Sequence, residues 1–134
     1  MGMGVTRMIF IVDEGPIDAE LTRIALEEMG REINICSATD GKSALAMLRD
    51  GLELPAIVLL GIKMRGMSGI EVLREIRADD RLRELPVVVV TSSALESDRE
   101  ELIAAGASDY IQKSLSFNQF SKDLDCIVHR WLPN

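Results

Sequence analysis

The stretch Ala56-Ile57-Val58-Leu59-Leu60-Gly61-Ile62-Lys63-Met64-Arg65-Gly66-Met67-Ser68-Gly69-Ile70-Glu71 holds one complete structural unit. Its first five residues are apolar without alternation, the pattern of a strand covered on both faces, and such strands are usually parallel. Pro55 stands just before them, where a missing N–H costs little. A short turn follows, and Ser68 with Glu71 three residues later forms a capping box that opens a helix. The stretch therefore reads as strand, turn and helix.

The same unit recurs on both sides. Met8 to Val12 and Val87 to Val90 are continuously apolar, Pro86 precedes the latter, and Ile33 to Ala38 and Ser108 to Gln112 are two further strand candidates. Pro16 suits the first turn of a helix carrying Ile17, Leu21 and Ile24, with Gly30 as a stop. Asp40 can cap a helix containing Ala44, Leu45 and Leu48 and closed by Gly51. Ser97 with Glu100, and Ser116 with Gln119, read as capping boxes for two more helices. In the last of these Phe117, Phe120, Leu124, Ile127, Val128 and Trp131 make one apolar stripe. Five such units predict an α/β fold, a doubly wound five-stranded parallel sheet with five helices. One domain over 1–134 is expected, with its core at about 7–132.

Composition narrows the function classes. The 134 residues carry 22 acidic and 15 basic side chains, a net charge of −7, and 47% are hydrophobic. That apolar content excludes a disordered chain, and the acidic balance argues against nucleic acid and anionic membranes as partners. No apolar run reaches the ~18 residues of a membrane span and no signal-peptide pattern opens the chain, so a cytoplasmic location is expected. Cys36 and Cys126, far apart and in apolar surroundings, are read as reduced core thiols.

In doubly wound sheets the working crevice lies beyond the carboxyl ends of the strands. Asp13 and Glu14 end the first strand, and paired carboxylates are hard oxygen ligands suited to Mg²⁺. Gly61 to Lys63 follow the third strand, Thr91-Ser92-Ser93 the fourth, and Lys113-Ser114 the fifth. The Thr91 hydroxyl and the Lys113 ammonium would complement a phosphoryl group. The competing reading is that strand-to-helix turns are polar in any case.

With Ile11-Val12-Asp13-Glu14, the stretch Ile57 to Gly69, Pro86 to Thr91, and Gly106-Ala107-Ser108-Asp109-Tyr110-Ile111-Gln112-Lys113 in this order and spacing, the chain resembles the receiver domains of two-component response regulators. The resemblance runs from Ile9 to Leu132 and looks most like the stand-alone, CheY-like members. It implies strand order 2-1-3-4-5 and a phosphorylation switch. An acidic pair binds Mg²⁺, an aspartate ending the third strand accepts a phosphoryl group from a histidine kinase, and a Thr/Ser and a Lys contact that group. Asp13 and Glu14 fall on the acidic pair, Lys63 on the residue whose backbone carbonyl ligates the metal, Thr91 on the hydroxyl, Tyr110 on the switching aromatic and Lys113 on the lysine. The implied partners are a histidine kinase or a downstream regulator. A homodimer would use the fourth helix, fifth strand and fifth helix, which map to Leu95 through Trp131.

Gly61 occupies the phosphoacceptor position, and glycine offers no nucleophile, no metal ligand and no charge to hold Lys113. Arg65 and Ser114 stand where the family usually has proline, and Glu14 is longer than the usual aspartate, which weakens or removes the Mg²⁺ site. Ser68 is the nearest downstream hydroxyl but is explained as a helix cap. The expectation is a receiver-like signalling module, not an enzyme, that acts by protein–protein contact without aspartyl phosphorylation, its Lys113 turned toward Asp13 or Glu14. The alternatives are a phosphorelay regulator in an inactivated variant form and a small-ligand-binding flavodoxin-like domain.

Other signals were weaker. Gly41-Lys42-Ser43 lacks the first glycine of a phosphate-binding loop, and His129 lies far in sequence from Gly66-Met67-Ser68-Gly69, so no hydrolase triad is expected. Met1-Gly2 with Thr6 matches a myristoylation start only formally. The mixed charges from Glu71 to Glu84 read as an exposed helix face and turn.

Overall fold

The computed structural model describes residues 7–92, 95–113 and 116–132. The readings placed on Met1, Gly2 and Thr6, on Ser93 and on Ser114 lie outside the described residues.

Strands and helices alternate along the chain: β1 (Met8–Val12), α1 (Pro16–Glu27), β2 (Asn34–Ala38), α2 (Gly41–Asp50), β3 (Ile57–Gly61), α3 (Gly69–Ala78), β4 (Val87–Thr91), α4 (Glu96–Ala104), β5 (Asp109–Gln112) and α5 (Phe117–Trp131). The sheet is parallel, in the order β2-β1-β3-β4-β5. Unbroken apolar runs fill both faces because successive side chains point opposite ways. Ile9, Ile11, Ile57, Leu59, Val88 and Val90 pack with Ala25 and Leu26 of α1 and Phe120, Leu124, Ile127 and Val128 of α5. Phe10, Val12, Val58, Leu60, Val87 and Val89 pack with α2, α3 and Leu102 of α4.

Local chemistry sets the helix starts. Pro16 begins α1, and the Asp40 carboxylate accepts from Ser43 N–H at 2.8 Å. The Ser68–Glu71 box is complete, with bonds of 3.3 and 3.0 Å. Ser116 accepts from the Gln119 N–H at 3.2 Å. Ser97 is not a cap: α4 starts two residues earlier than that reading requires, at Glu96, so Ser97 falls inside its first turn and Leu95 holds the cap position. Two acids in that turn, Glu96 and Asp98, favour the helix start through its dipole.

The helix expected from Pro16 is present, but its apolar residues are not all inside. Ile17 and Leu21 are exposed, and the helix buries Thr22, Ala25 and Leu26. Of the two thiols, Cys36 is half-buried and Cys126 is exposed on α5, so Cys126 is not a core residue. The charged stretch after Glu71 is only partly a solvated face. Arg77 donates to the carbonyls of Gly106, Arg83 and Leu85 and to the Ser108 hydroxyl, at 2.7 to 3.2 Å. Its partial burial lowers its pKa by desolvation. Arg81 donates to the carbonyls of Leu48, Arg49 and Gly51 and so closes the end of α2.

Arg77 therefore ties the end of α3 to the start of β4 and to the α4–β5 turn. Arg77→Ala strands the two part-buried carbonyls of Leu85 and Gly106 and should cost about 2–3 kcal/mol, whereas Arg74→Ala on the exposed side of the same helix should cost under about 0.5 kcal/mol. Urea unfolding of both variants checks this, and equal midpoints would refute the role given to Arg77.

Candidate functional site at the carboxyl edge of the sheet

All five strands point their carboxyl ends at one edge, and a cleft of about 280 Å³ opens there. Asp13, Glu14, Gly61, Lys63, Thr91 and Lys113 all line it, together with Gly15, Asp18, Ile62, Val90 and Ser92. Six of the seven positions singled out in the sequence are thus neighbours. Tyr110 is the exception. It sits partly buried on β5, and the Arg99 guanidinium lies 5.8 Å from its ring centroid.

Backbone bonds place the cleft residues. The Asp13 N–H donates to Ala38 at the end of β2, and the Lys113 N–H donates to the Thr91 carbonyl at 2.7 Å, fixing the end of β5 against β4. Asp13 also accepts from the Gly15 N–H through Oδ1 at 2.9 Å, which fixes its carboxylate. At β3, Gly69 lets α3 begin directly against the strand end. A Cβ there would collide with the Gly61 carbonyl oxygen and lie 2.8 Å from Ile62 Cα, while the Gly69 N–H donates to the Ile62 carbonyl at 3.0 Å.

Gly61 is different. It is buried, its φ is not positive, and a Cβ there would meet Val12 O at 3.3 Å and the Asp13 carboxylate at 3.6 Å or more. The backbone does not require glycine at this point, and a side chain would project toward Asp13.

The charges are paired within the cleft. Lys113 Nζ lies 2.7 Å from Asp18 Oδ2 and 3.5 Å from Asp13 Oδ2. The turn toward Asp13 agrees with expectation, but the nearest partner is Asp18, two residues inside α1, and Glu14 has turned elsewhere. Glu14 Oε2 accepts from the Arg65 backbone N–H at 3.0 Å and lies 3.4 Å from its Nε. Asp18 is the site residue that sequence reasoning missed. Its signal was an acid in the first turn of a helix that starts right after Asp13-Glu14.

Matching the receiver-domain model over residues 9–125, the chain is assigned by its sequence as well as its architecture. It belongs to the response regulator receiver domain family. This receiver is 34% identical over 129 residues to the probable methanogenesis regulatory protein FilR2 of Methanothrix harundinacea, covering 93% of this chain and 83% of that one. Among solved structures it is similar to the phosphorylated cyanobacterial phytochrome response regulator RcpA, with a TM-score of 0.87, 28% identity, and 97% and 100% of the two chains covered. The Mn²⁺-bound form of response regulator Rcp1 superposes with a TM-score of 0.84 at 26% identity, covering 96% of both chains. Receiver domains are signalling modules that work between histidine kinases and downstream effectors. No described helix is long and apolar enough to cross a membrane.

The donor set can be tested against the divalent cation that the family implies and that Rcp1 carries. Of the acidic pair, Asp13 faces Lys113 and Glu14 is bonded to Arg65, and position 61 supplies no oxygen from a side chain. Among the described residues no three His, Cys, Asp or Glu side chains are grouped to hold an ion. The carboxylates facing the cleft are already engaged, Asp13 and Asp18 by the Lys113 ammonium and Glu14 by Arg65, a poor match to a cation that demands near-octahedral oxygen ligands.

Tyr110 is the only tyrosine, so its ionisation can be followed alone. Burial first, then the nearby Asp98 charge, push its pKa above the free phenol value. The unfolded chain therefore loses this proton first, and stability falls as pH rises above about 10. A 295 nm titration of the native protein should show a midpoint above that of a denatured control; a midpoint at or below the control would contradict the placement of the ring.

Proposed function

We propose that this receiver is a signalling module that works by protein–protein contact without aspartyl phosphorylation, Gly61 standing where the family carries its acceptor. The observation that carries this reading is the bare end of β3, a glycine that neither φ nor crowding demands. Phosphoryl transfer needs an oxygen nucleophile in line with the leaving group, and glycine has none. The Ser68 hydroxyl is held in its capping box. In this reading Thr91, Tyr110 and Lys113 keep their places but contact no phosphoryl group, and the Mg²⁺ site of Asp13, Glu14 and the Lys63 carbonyl is weakened or lost. A flavin or nucleotide site is disfavoured, because the cleft is polar and its volume of about 280 Å³ falls at the bottom of the usual range of roughly 300–1,000 Å³.

Incubation with acetyl phosphate and Mg²⁺ should leave no hydroxylamine-labile adduct, and stoichiometric labelling would overturn the proposal. Gly61→Asp should recover part of that labelling, because a Cβ at this position needs only a few tenths of an ångström from the Val12 carbonyl. That same tolerance favours a second reading, an ordinary phosphorelay regulator carrying an inactivating substitution. Sequencing the source gene at codon 61 separates the two, since an aspartate codon there would establish the second.

The partner surface we assign is the α4–β5–α5 face, including self-association. α4 buries only Leu102 and leaves Leu95 and Ile103 exposed. Ile103→Glu should abolish any dimer seen by light scattering while leaving the melting temperature within about 1–2 °C, as expected of an exposed site. A dimer that survives the substitution would move the interface elsewhere.

A further inference from the structure

We infer that the walls of the cleft are held together by a cation-independent latch in which Asp18 replaces the missing strand-end carboxylate as the partner of Lys113, and Arg65 replaces the metal as the partner of Glu14. This rests on the reading that residue 61 carries no acceptor. In the family's arrangement, as the resemblance implies, a divalent ion draws the β1 end and the β3–α3 loop together. Here those segments are joined by the chain's own groups. Glu14, just after β1, accepts from the Arg65 backbone N–H at 3.0 Å, with the guanidinium 3.4 Å away. Lys113, just after β5, bridges Asp18 of α1 at 2.7 Å and Asp13 at 3.5 Å.

Two features make the arrangement a set rather than a chance contact. The bond to Glu14 needs a backbone N–H at residue 65, which a proline would lack. It also needs the longer reach of glutamate, so the departures at 14 and 65 explain each other. The contact with Asp18 uses a carboxylate in the first turn of a helix, where the dipole also favours it. The Asp13 and Lys113 side chains are only 13% and 28% exposed, so solvent screens this pair less than the Glu14–Arg65 pair, whose arginine is 92% exposed.

The experiment is a thermal-shift double-mutant cycle on the full chain, read with EDTA and with millimolar Mg²⁺ at matched ionic strength. Wild type should melt at the same temperature in both, and a saturable rise with Mg²⁺ would overturn the latch. Asp18→Asn should lower the melting point by roughly 2–4 °C. In a Gly61→Asp background the same change should cost less than half as much, because Lys113 then has a second partner; an equal loss in both backgrounds would refute the role given to Asp18. Arg65→Pro removes the N–H and should lower the melting point, whereas Arg65→Ala, which keeps the N–H, should retain most of it; equal losses would refute the backbone bond. Labelling by acetyl phosphate would sink the functional proposal and leave these couplings intact, whereas absent couplings would sink the latch alone.

Discussion

Aliphatic side chains pressing on both faces of β1, β3 and β4 are what the remainder of the molecule depends on. Each fully buried Ile, Leu or Val contributes roughly 1.5–3 kcal/mol, while an exposed ion pair contributes at most about 1 kcal/mol. The sheet is therefore set by its core, and its polar groups are left to the edges. Because all five strands run the same way, every loop that follows a strand meets at one edge, and residues 13, 61, 91 and 113 become neighbours there. The site is a product of topology before it is a product of chemistry.

At that edge charge balance takes over. Losing one carboxylate from a cluster that includes a partly buried ammonium would leave the ammonium under-compensated, which is costly in a half-desolvated place. The chain meets this with Asp18 on Lys113 and with Arg65 on Glu14. The result is a cleft in which Asp13, Glu14, Asp18 and Lys113 all have partners from the chain itself.

How far the sequence foretold this differs from element to element. The strands were legible because Val87 to Val90 and Ile57 to Leu60 have no polar residue to confuse the period, and Asp40, Ser68 and Ser116 announced their helices by capping. The spacing of Ile17, Leu21 and Ile24 gave α1 as a helix but not its inner face, which is Thr22, Ala25 and Leu26. Ser97 misled because a serine with an acid three residues on also occurs inside a first turn. Asp13, Glu14 and Lys113 could be read from their places after strands. Asp18 was passed over because it lies inside α1 and not directly after a strand, where an acid in a first turn already has a local explanation. Arg77 and Arg81 looked like solvated charges because sequence does not show which carbonyls a long side chain will reach.

The missing Cβ at Gly69 has a mechanical meaning. It seats the start of α3 against the last peptide of β3, with the Gly69 N–H bonded to Ile62. Eight residues on, the other end of the same helix is fastened by Arg77 to the turns that precede β4 and β5. α3 is thus a strut pinned at both ends, about 15 Å long at 1.5 Å per residue. The two ends of α3 are thus held by different devices, a missing Cβ at the cleft edge and an arginine at the other end.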